Sequence, residues 1–458
     1  MENHHDDRKM EDVLKELNTK EIQNVRFEFL DTNSVARSKT IPVRHFSKAV
    51  NSGISFPVVI FASDPHLDIN KKSPLLAKYL TSDMICYSDL TTFTTLPWVK
   101  NTARVFVSAT PASTSGNNNE VLLDPRSILK NQLEKLKAKD LSIFSSLEYE
   151  FWLVDEATRE PVISGTNAWS TLRLAKHQQF IDQLVLNLLK AGVDIDSVQT
   201  EYGKGMFEIT MEPSFGIRSA DNAATFRTGI KEMAMQEGFV ASFMTRPFES
   251  DVGASGHLNH SLWTPDGKTQ MTADASRPYG LSEIGEYWVA GLLEHACALS
   301  FLQAPTVNCR DRISPNNMAP CNATWGVDNR SCAIRLKKQG KHGLYLENRI
   351  GSSAGNPYIS LAATIAAGID GIERKLSLPA PIPLDKLCTD EEHLPPDTAL
   401  LPTDVESAIQ CLRKDDVMMN AFGEDFVNNL ESIRRFESEK ITEEDKYASS
   451  RMLYFDYI

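Results

Sequence analysis

The stretch SLEYEFWLV, residues 146–154, alternates carboxylate and apolar side chains in a run rich in aromatic residues. This alternation predicts a β-strand with one face turned toward a core. Glu148 and Glu150 are two positions apart, so both side chains would point to the same face of that strand. A half-exposed strand with ordinary alternation also explains the pair when it is taken alone. The interpretation therefore depends on the other acidic and basic residues of the chain.

Four further residues are candidate metal ligands together with this pair. Glu201 and Glu208 lie in EYGKGMFEI. This stretch predicts two strands joined by a glycine turn, where the backbone can approach a ligand closely. The third lies in GASGHLNHSLW and the fourth in the predicted strand GLYLENRIG. Five carboxylates and one imidazole suit Mg²⁺ or Mn²⁺ better than a structural zinc ion. The predicted ligands are Glu148, Glu150, Glu201, Glu208, His257 and Glu347.

Five arginines are interleaved with these acids along the chain. The guanidinium group presents planar donors that match carboxylate and phosphate oxygens. A single arginine near the end of a strand is more often a surface charge, but five among metal-type acids indicate an anionic substrate beside metal ions. That combination is typical of phosphoryl transfer, and the chain has no P-loop or Rossmann glycine motif. The arginines are Arg310, Arg312, Arg330, Arg335 and Arg349.

Length and charge limit the class of protein. A chain of 458 residues is too long for one ordinary core, so two domains are expected. The net charge of −13 argues against non-specific nucleic-acid binding, and no apolar run approaches the ~20 residues that span a bilayer. The polar N-terminus does not resemble a signal peptide. Seven cysteines, an odd number without zinc-ligand spacing, predict reduced thiols in a cytoplasmic protein.

Short strands and amphipathic helices predict an α+β fold, because the strands are too evenly hairpin-like for a doubly wound sheet. We expect an N-terminal tail or helix over residues 1–20, a small mixed domain over 21–110 and a larger domain over 111–458. Asp124 as N-cap and Pro125 at the first helical position predict the start of one helix. The stretch 281–305 predicts a single long helix with an apolar face.

The order of these motifs resembles the glutamine synthetase family. The matching elements are E-x-E at 148–150, E-x₆-E at 201–208, GHLNHSLW at 256–263, NRSCAIR at 329–335 and ENRIGSSAGNPY at 347–358. The resemblance runs from about Val25 to about Lys375. It implies an N-terminal β-grasp domain, a catalytic-type domain with a curved antiparallel sheet, and a dodecamer of two stacked hexameric rings. The segments ARSKTIP, TLPW with TARV, and SADNAATFRTGIKE further resemble the lens-type branch of this family.

The family joins ammonia to the γ-carboxylate of glutamate through a γ-glutamyl phosphate made from ATP, with two divalent ions on the phosphates. The resemblance implies that one ion is held by Glu150, Glu201 and Glu208, and the other by Glu148, His257 and Glu347. By the same resemblance, Arg330 and Arg335 contact phosphate, Arg312 and Arg349 grip glutamate and the transferred phosphate, and Asn259 and Ser261 lie beside the nucleotide.

The chain departs from the family pattern at positions that handle protons and polar groups. Pro57 stands where the family has the aspartate that deprotonates ammonium, and Met318 stands where a flap carries a glutamate. Asn259 replaces a second histidine, Met206 a glutamine and Val252 an asparagine. General base catalysis is worth roughly 10²–10⁴-fold, so the loss of two proton acceptors predicts the loss of glutamine synthesis.

Two functions remain open at this point, with ordinary glutamine synthetase as a third. The first is a structural or partner-binding oligomer without glutamine synthetase activity, which retains Mg²⁺ or Mn²⁺ and ATP and has a filament protein as a possible partner. The second is an ATP-dependent ligase that joins glutamate to a larger amine. The complete set of metal ligands motivates the second function, and Pro57 and Met318 motivate the first.

Overall fold

The structure, a computed structural model, describes residues 8–79, 82–111, 123–314 and 319–458. Within these residues the strands form two sheets, one of six strands and one of nine. Helices cover parts of both sheets, so the predicted α+β class is confirmed. The β-grasp topology of the first part of the chain stays a prediction, as do the divisions after residues 20 and 110.

The smaller sheet has the strand order β2-β1-β6-β4-β3, with β5 paired to β6. Strands β1 and β6 are parallel and the other pairs are antiparallel. The side chains Phe27, Phe29 and Phe46 form the centre of its apolar core. The strands are β1 (Asn24–Leu30), β2 (Ala36–Pro42), β3 (Ile54–Pro57), β4 (Asp83–Ser88), β5 (Thr94–Thr95) and β6 (Thr102–Pro111).

The larger sheet has the order β13-β14-β15-β12-β7-β9-β8, with β10 and β11 also paired to β7. Its pairs are antiparallel apart from β13 with β14. The strands are β7 (Ser142–Asp155), β8 (Ile195–Thr200), β9 (Met206–Met211), β10 (Ser214–Phe215), β11 (Phe239–Ser242), β12 (Gly256–Trp263), β13 (Trp325–Val327), β14 (Ile334–Gly340) and β15 (Gly343–Asn348).

The helices begin and end where the sequence supplies caps in several cases. Asp124 accepts hydrogen bonds from the backbone N–H groups of Arg126 and Ser127, which confirms the predicted start of α4. The helices are α1 (Met10–Thr19), α2 (Phe46–Ser52), α3 (Pro74–Tyr79), α4 (Pro125–Lys137), α5 (Thr171–Ala175), α6 (Gln178–Lys190), α7 (Arg218–Gln236), α8 (Glu283–Glu294), α9 (Ala296–Gln303), α10 (Pro357–Arg374), α11 (Val405–Arg413), α12 (Asp416–Phe422), α13 (Glu424–Ser438) and α14 (Lys446–Tyr454).

Helices α8 and α10 pack closely behind the larger sheet because small residues meet at their contact. A Cβ on Gly368 would lie 2.2 Å from the ring of Trp288, so only glycine allows this approach. The indole N–H of Trp288 then donates to His260 of β12 at 3.0 Å. This contact holds one face of β12 against the helices and leaves the other face for the site described below.

The single long helix predicted over 281–305 is wrong, because the structure divides it into α8 and α9 at His295. The imidazole of His295 contacts Asp415 at 2.7 Å and Asp370 at 3.0 Å. Asp370 lies in α10 and Asp415 is the N-cap of α12, so the residue at which the helix divides is held by contacts that are distant in sequence.

All seven cysteines are unpaired thiols, as the sequence predicts. None of the helices in the described ranges has both the length and the apolar character needed to cross a membrane.

Candidate metal centre

A cleft of about 800 Å³ opens over the larger sheet. Side chains two apart on a strand share a face, and this alternation along β7 decides which residues reach the cleft. Glu148 and Glu150 line it, whereas the intervening Tyr149 and the following Phe151 are fully buried in the core. The structure therefore places the two carboxylates on one face of β7.

Three carboxylates form a first cluster beside the centre of β7. Glu150 is directly paired with Glu208 in the register of β7 and β9, and Glu201 follows the last residue of β8. One oxygen from each of these three residues lies within 4.8 Å of the others. The amide of Gln199 donates to Glu201 at 2.8 Å and to Glu208 at 2.7 Å, which fixes both side chains. The structure thus brings together the three residues predicted to share one ion.

The first cluster is electrostatically unfavourable without a cation. Burial, followed by the negative charges of Glu148, Glu150 and Glu201, raises the pKa of Glu208 to about 11. Burial and the adjacent Glu201 raise the pKa of Glu150 to about 7, and burial also raises the pKa of Glu201. A divalent ion would offset this repulsion with hard oxygen ligands of the kind that Mg²⁺ and Mn²⁺ prefer. The donor set therefore fits such an ion.

A second cluster contains Glu148, His257 and Glu347, whose ligand atoms also lie within 4.8 Å of one another. The Nδ1 atom of His257 is 3.4 Å from Glu148 and 3.3 Å from Glu347. Strand β12 places His257 opposite Glu148 on one side and Asn259 opposite Glu347 on the other. Burial and the charge of Arg349 lower the pKa of His257, which favours the neutral imidazole that a metal ion requires.

Three of the predicted arginines converge on the second cluster. Arg335 donates to Glu347 at 3.2 Å, and Arg349 forms a close ion pair with the same carboxylate. Arg312 donates to the backbone carbonyl of Arg349 at 3.2 Å, and its guanidinium is 3.4 Å from His257. Arg330 also lines the cleft but is exposed to solvent. These cations supply positive charge beside a cluster that would otherwise be dominated by carboxylates.

Arg310 does not belong to this group, so its prediction as part of an anion site is wrong. Its guanidinium donates to Ser300 and to the carbonyl oxygen of Ala304, at the end of α9. The side chain is 6% exposed and bonds to carbonyl oxygens at the C-terminal end of α9. Sequence spacing could not separate this structural arginine from Arg312, two residues later.

Asn259 and Ser261 project from β12 into the cleft, next to the second cluster. The amide nitrogen of Asn259 donates to Glu148 at 3.1 Å, and the carbonyl oxygen of that amide is buried without a hydrogen-bond partner among the described residues. The hydroxyl of Ser261 accepts a hydrogen bond from the indole of Trp263 at 2.8 Å. Asn259 therefore orients one carboxylate of the second cluster and presents an acceptor for a further donor.

The positions that depart from the family pattern occupy different places. Met206 and Val252 line the cleft and pack with Trp152, so the apolar replacements are part of the site. Pro57 ends β3 at the edge of the smaller sheet and is not among the described residues that line the cleft. Met318 lies outside the described residues.

Sequence reasoning missed several residues of the cleft. Gln199 bridges two carboxylates, and Trp169 and Tyr202 stand at its mouth. Gln199 is two residues before Glu201 in a predicted strand, so the two-residue period was an available signal for it. Trp169 follows no strand or helix pattern, and only the folded chain brings it to the cleft.

Comparison with known proteins identifies similar sequences and folds. The family described as glutamine synthetase, catalytic domain, matches residues 122–452. Lengsin of Homo sapiens is 34% identical over 455 residues, which cover 98% of this chain and 86% of that protein. A glutamate–isopropylamine ligase of a Pseudomonas species is 27% identical over 444 residues, which cover 94% of this chain and 94% of that protein. A solved GmaS/ADP complex has a TM-score of 0.82 at 23% identity, over 96% of this chain and 99% of that one, and shows the same fold.

Proposed function

This chain belongs to the glutamine synthetase family, and on that premise we propose that its cleft binds divalent cations and ATP without synthesising glutamine. The observation that carries the proposal is the pair of three-residue clusters, each with its ligand atoms within 4.8 Å of one another. A lengsin-like role as a structural or partner-binding oligomer is consistent with the sequence similarity to lengsin.

Each group of residues has a distinct role in this proposal. Glu150, Glu201 and Glu208 hold one Mg²⁺ or Mn²⁺, and Glu148, His257 and Glu347 hold the other. Bound ions would neutralise phosphate oxygens and so supply the electrostatic part of phosphoryl chemistry. Four arginines contact phosphate and substrate oxygens, and two side chains of β12 contact the nucleotide. These residues are Arg312, Arg330, Arg335, Arg349, Asn259 and Ser261.

The absence of glutamine synthesis follows from proton handling. An ammonium ion must lose a proton before its nitrogen can attack an acyl carbon. The side chains of Pro57 and Met318 cannot accept a proton. A general base contributes roughly 10²–10⁴-fold, which is about 3 to 5 kcal/mol of activation free energy. Binding of metal and nucleotide does not need this group, so it is retained when synthesis is lost.

The proposed assembly is a homo-oligomer, with two stacked hexameric rings as the specific form. A chain of 51.1 kDa would then give a particle of several hundred kilodaltons. Light scattering after size-exclusion chromatography measures this mass directly, and a monomer would contradict the ring assembly. A filament protein in the cytoplasm is the proposed kind of partner.

Calorimetry with the full chain tests the binding function. We expect ATP to bind in the presence of Mg²⁺, and binding to be lost in Glu150→Ala and Glu347→Ala variants. Formation of γ-glutamylhydroxamate by the wild-type protein, abolished in Glu150→Ala, would refute the absence of glutamine synthetase activity. Failure of the wild-type protein to bind Mg²⁺ and ATP would refute the binding proposal itself.

A second candidate function is an ATP-dependent glutamate–amine ligase. The favouring observation is that Met206 and Val252 give the cleft an apolar lining close to the carboxylates. In this reaction the γ-carboxylate of glutamate takes the terminal phosphoryl group of ATP and ADP leaves. A neutral amine then forms the C–N bond, phosphate departs, and one proton passes to a base or solvent. ATP turnover that no amine stimulates would exclude this candidate.

A further inference from the structure

Ser255 lies immediately before β12 and borders the first cluster. It is the cross-strand neighbour of Glu150, whose N–H donates to the Ser255 carbonyl oxygen at 3.0 Å. The Ser255 N–H in turn donates to the Glu150 carboxylate at 2.7 Å. Ser255 is also two residues before His257, so its side chain shares the cleft face of the strand. These contacts place the serine hydroxyl beside the carboxylates of the first cluster.

The hydroxyl group of Ser255 is buried and has no role in the packing of the chain. The residue is 3% exposed, and its Oγ atom has no hydrogen-bond partner of ordinary geometry among the described residues. A buried hydroxyl without a partner costs free energy, and alanine would avoid that cost. Both hydrogen bonds with Glu150 use main-chain atoms of Ser255, so alanine would keep them. The buried hydroxyl therefore calls for a ligand outside the fold.

The same hydroxyl is close enough to Glu150 to affect its charge. Burial and Glu201 raise the pKa of Glu150, whereas the N–H group and the hydroxyl of Ser255 act in the opposite direction. A hydroxyl group has one donor and two acceptor lone pairs. Its proton can therefore point toward Glu150 while a lone pair remains for a cation that the same carboxylate holds.

A neutral oxygen ligand also suits the charge of the first cluster. Three ionised carboxylates carry −3, so one divalent cation leaves a charge of about −1. A fourth carboxylate would increase the repulsion that adds to burial in raising the pKa of Glu208. Mg²⁺ requires near-octahedral coordination by oxygen and accepts a serine hydroxyl among its ligands. A hydroxyl therefore completes more of the coordination without adding charge.

We propose that the Oγ atom of Ser255 is a fourth protein ligand of the ion in the first cluster, beside Glu150, Glu201 and Glu208. This inference rests on the proposed metal-binding function and adds one residue to it. It also predicts a preference among metals. The hydroxyl oxygen favours hard ions such as Mg²⁺ and Mn²⁺, whereas a thiol at the same position would favour a softer ion such as Cd²⁺.

Calorimetry of the full chain with Mn²⁺ and with Cd²⁺ tests the ligand. Ser255→Ala is expected to weaken Mn²⁺ binding at one of two sites about 10-fold, since even groups that only orient metal ligands contribute 10–100-fold. Ser255→Cys is expected to lose Mn²⁺ affinity similarly and to bind Cd²⁺ about 10-fold more tightly than wild-type protein, because it supplies a thiolate. A difference spectrum against wild-type protein should then show the ultraviolet charge-transfer band of a cadmium thiolate.

Two matched variants control for an added thiol and for the second ion. Ser197→Cys places a thiol on β8 in the same cleft, four residues before Glu201, and should change neither Mn²⁺ nor Cd²⁺ affinity. Asn259→Leu removes the hydrogen bond to Glu148 of the second cluster. It should weaken the Mn²⁺ site that Ser255→Ala leaves unchanged, so the two substitutions assign the two affinities.

Four results would overturn the ligand. The first is a Ser255→Ala variant with both Mn²⁺ affinities unchanged. The second is weaker Mn²⁺ binding in Ser255→Ala without a Cd²⁺ gain in Ser255→Cys, which would limit the hydroxyl to orienting Glu150. The third is an equal Cd²⁺ gain in Ser197→Cys. The fourth is a lower urea-denaturation midpoint of Ser255→Ala in EDTA, which would assign the hydroxyl to the fold.

The wild-type protein separates this inference from the proposed function. Wild-type protein that binds no Mn²⁺ would refute the metal-binding function itself. Wild-type protein that binds Mn²⁺ as tightly as Ser255→Ala does at both sites would refute only the role of the hydroxyl.

Discussion

Replacing Glu150 by glutamine is expected to stabilise the metal-free protein at pH 8, although it removes a proposed metal ligand. Burial and Glu201 raise the pKa of Glu150 from 4.5 to about 7. The folded protein thus binds this proton more tightly than the unfolded chain, so stability is lost as pH rises from about 4.5 to about 7. At 1.36 kcal/mol per pH unit the loss is about 3.4 kcal/mol. The side chain is partly exposed to the cleft, and screening there reduces our expectation to about 2 kcal/mol.

The assay is urea denaturation in EDTA, at one fixed protein concentration, for wild-type protein and Glu150→Gln at pH 5 and pH 8. A glutamine oxygen can still accept the 2.7 Å hydrogen bond from the Ser255 N–H, so the variant keeps its local contact. Added Mg²⁺ should reverse the order at pH 8, because it binds the folded wild-type protein. Glu148→Gln is the control and should not stabilise, because burial is outweighed by His257 and Asn259, which lower the pKa of Glu148 to about 2. A variant less stable than wild type at pH 8, or an equal gain at both pH values, would refute the reasoning.

Three further predictions concern the supports of the site and the fold. Burial opposes the shift, but Asp415 and Asp370 raise the pKa of His295. The stabilisation by the protonated imidazole is therefore present at low pH and is lost as pH rises. In urea denaturation, His295→Gln should lower the free energy of unfolding by about 2 kcal/mol at pH 6 and by less at pH 9, and equal losses at both pH values would contradict this prediction. Gly256→Ala would place a Cβ 2.6 Å from a backbone oxygen, next to the proposed ligand His257. We therefore expect the free energy of unfolding to fall by about 2 kcal/mol and Mn²⁺ binding to weaken in calorimetry; an unchanged denaturation midpoint would contradict the clash. Asn259→Leu should weaken Mn²⁺ binding about 10-fold, because outer residues that orient ligands typically contribute 10–100-fold, and unaltered affinity would remove it from that role.

The two-residue period of strands accounts for how far the site could be predicted. It placed Glu148 with Glu150 correctly on one face of β7. It could not show that His257 pairs with Glu148, since that register joins strands more than a hundred residues apart. The same limit explains Arg310, whose partners are carbonyl groups of α9. Local patterns specify the direction of a side chain, whereas its neighbours depend on strand order.

The break at His295 is an example of the same limit in the fold. The stretch 281–305 has a continuous apolar pattern and no proline before its end, so a single helix was the natural expectation. At the interruption, His295 contacts Asp370 in α10 and Asp415, the N-cap of α12. Neither residue is near in sequence, and the pairing becomes visible only when α10 and α12 pack against this region.

The proposed metal ligands and Pro57, one of the two positions without a proton acceptor, belong to different sheets. Five of the six proposed ligands lie on neighbouring strands of the larger sheet and Glu201 directly follows β8. The first cluster places three carboxylates where burial raises their pKa values. A scaffold that bound no cation would be more stable with an amide at any of these positions, because an amide carries no charge to repel its neighbours. Pro57 lies on the other sheet, so its lack of a carboxylate leaves this cluster intact. The proposed cation binding would therefore account for the cluster whether or not an amine is joined to glutamate.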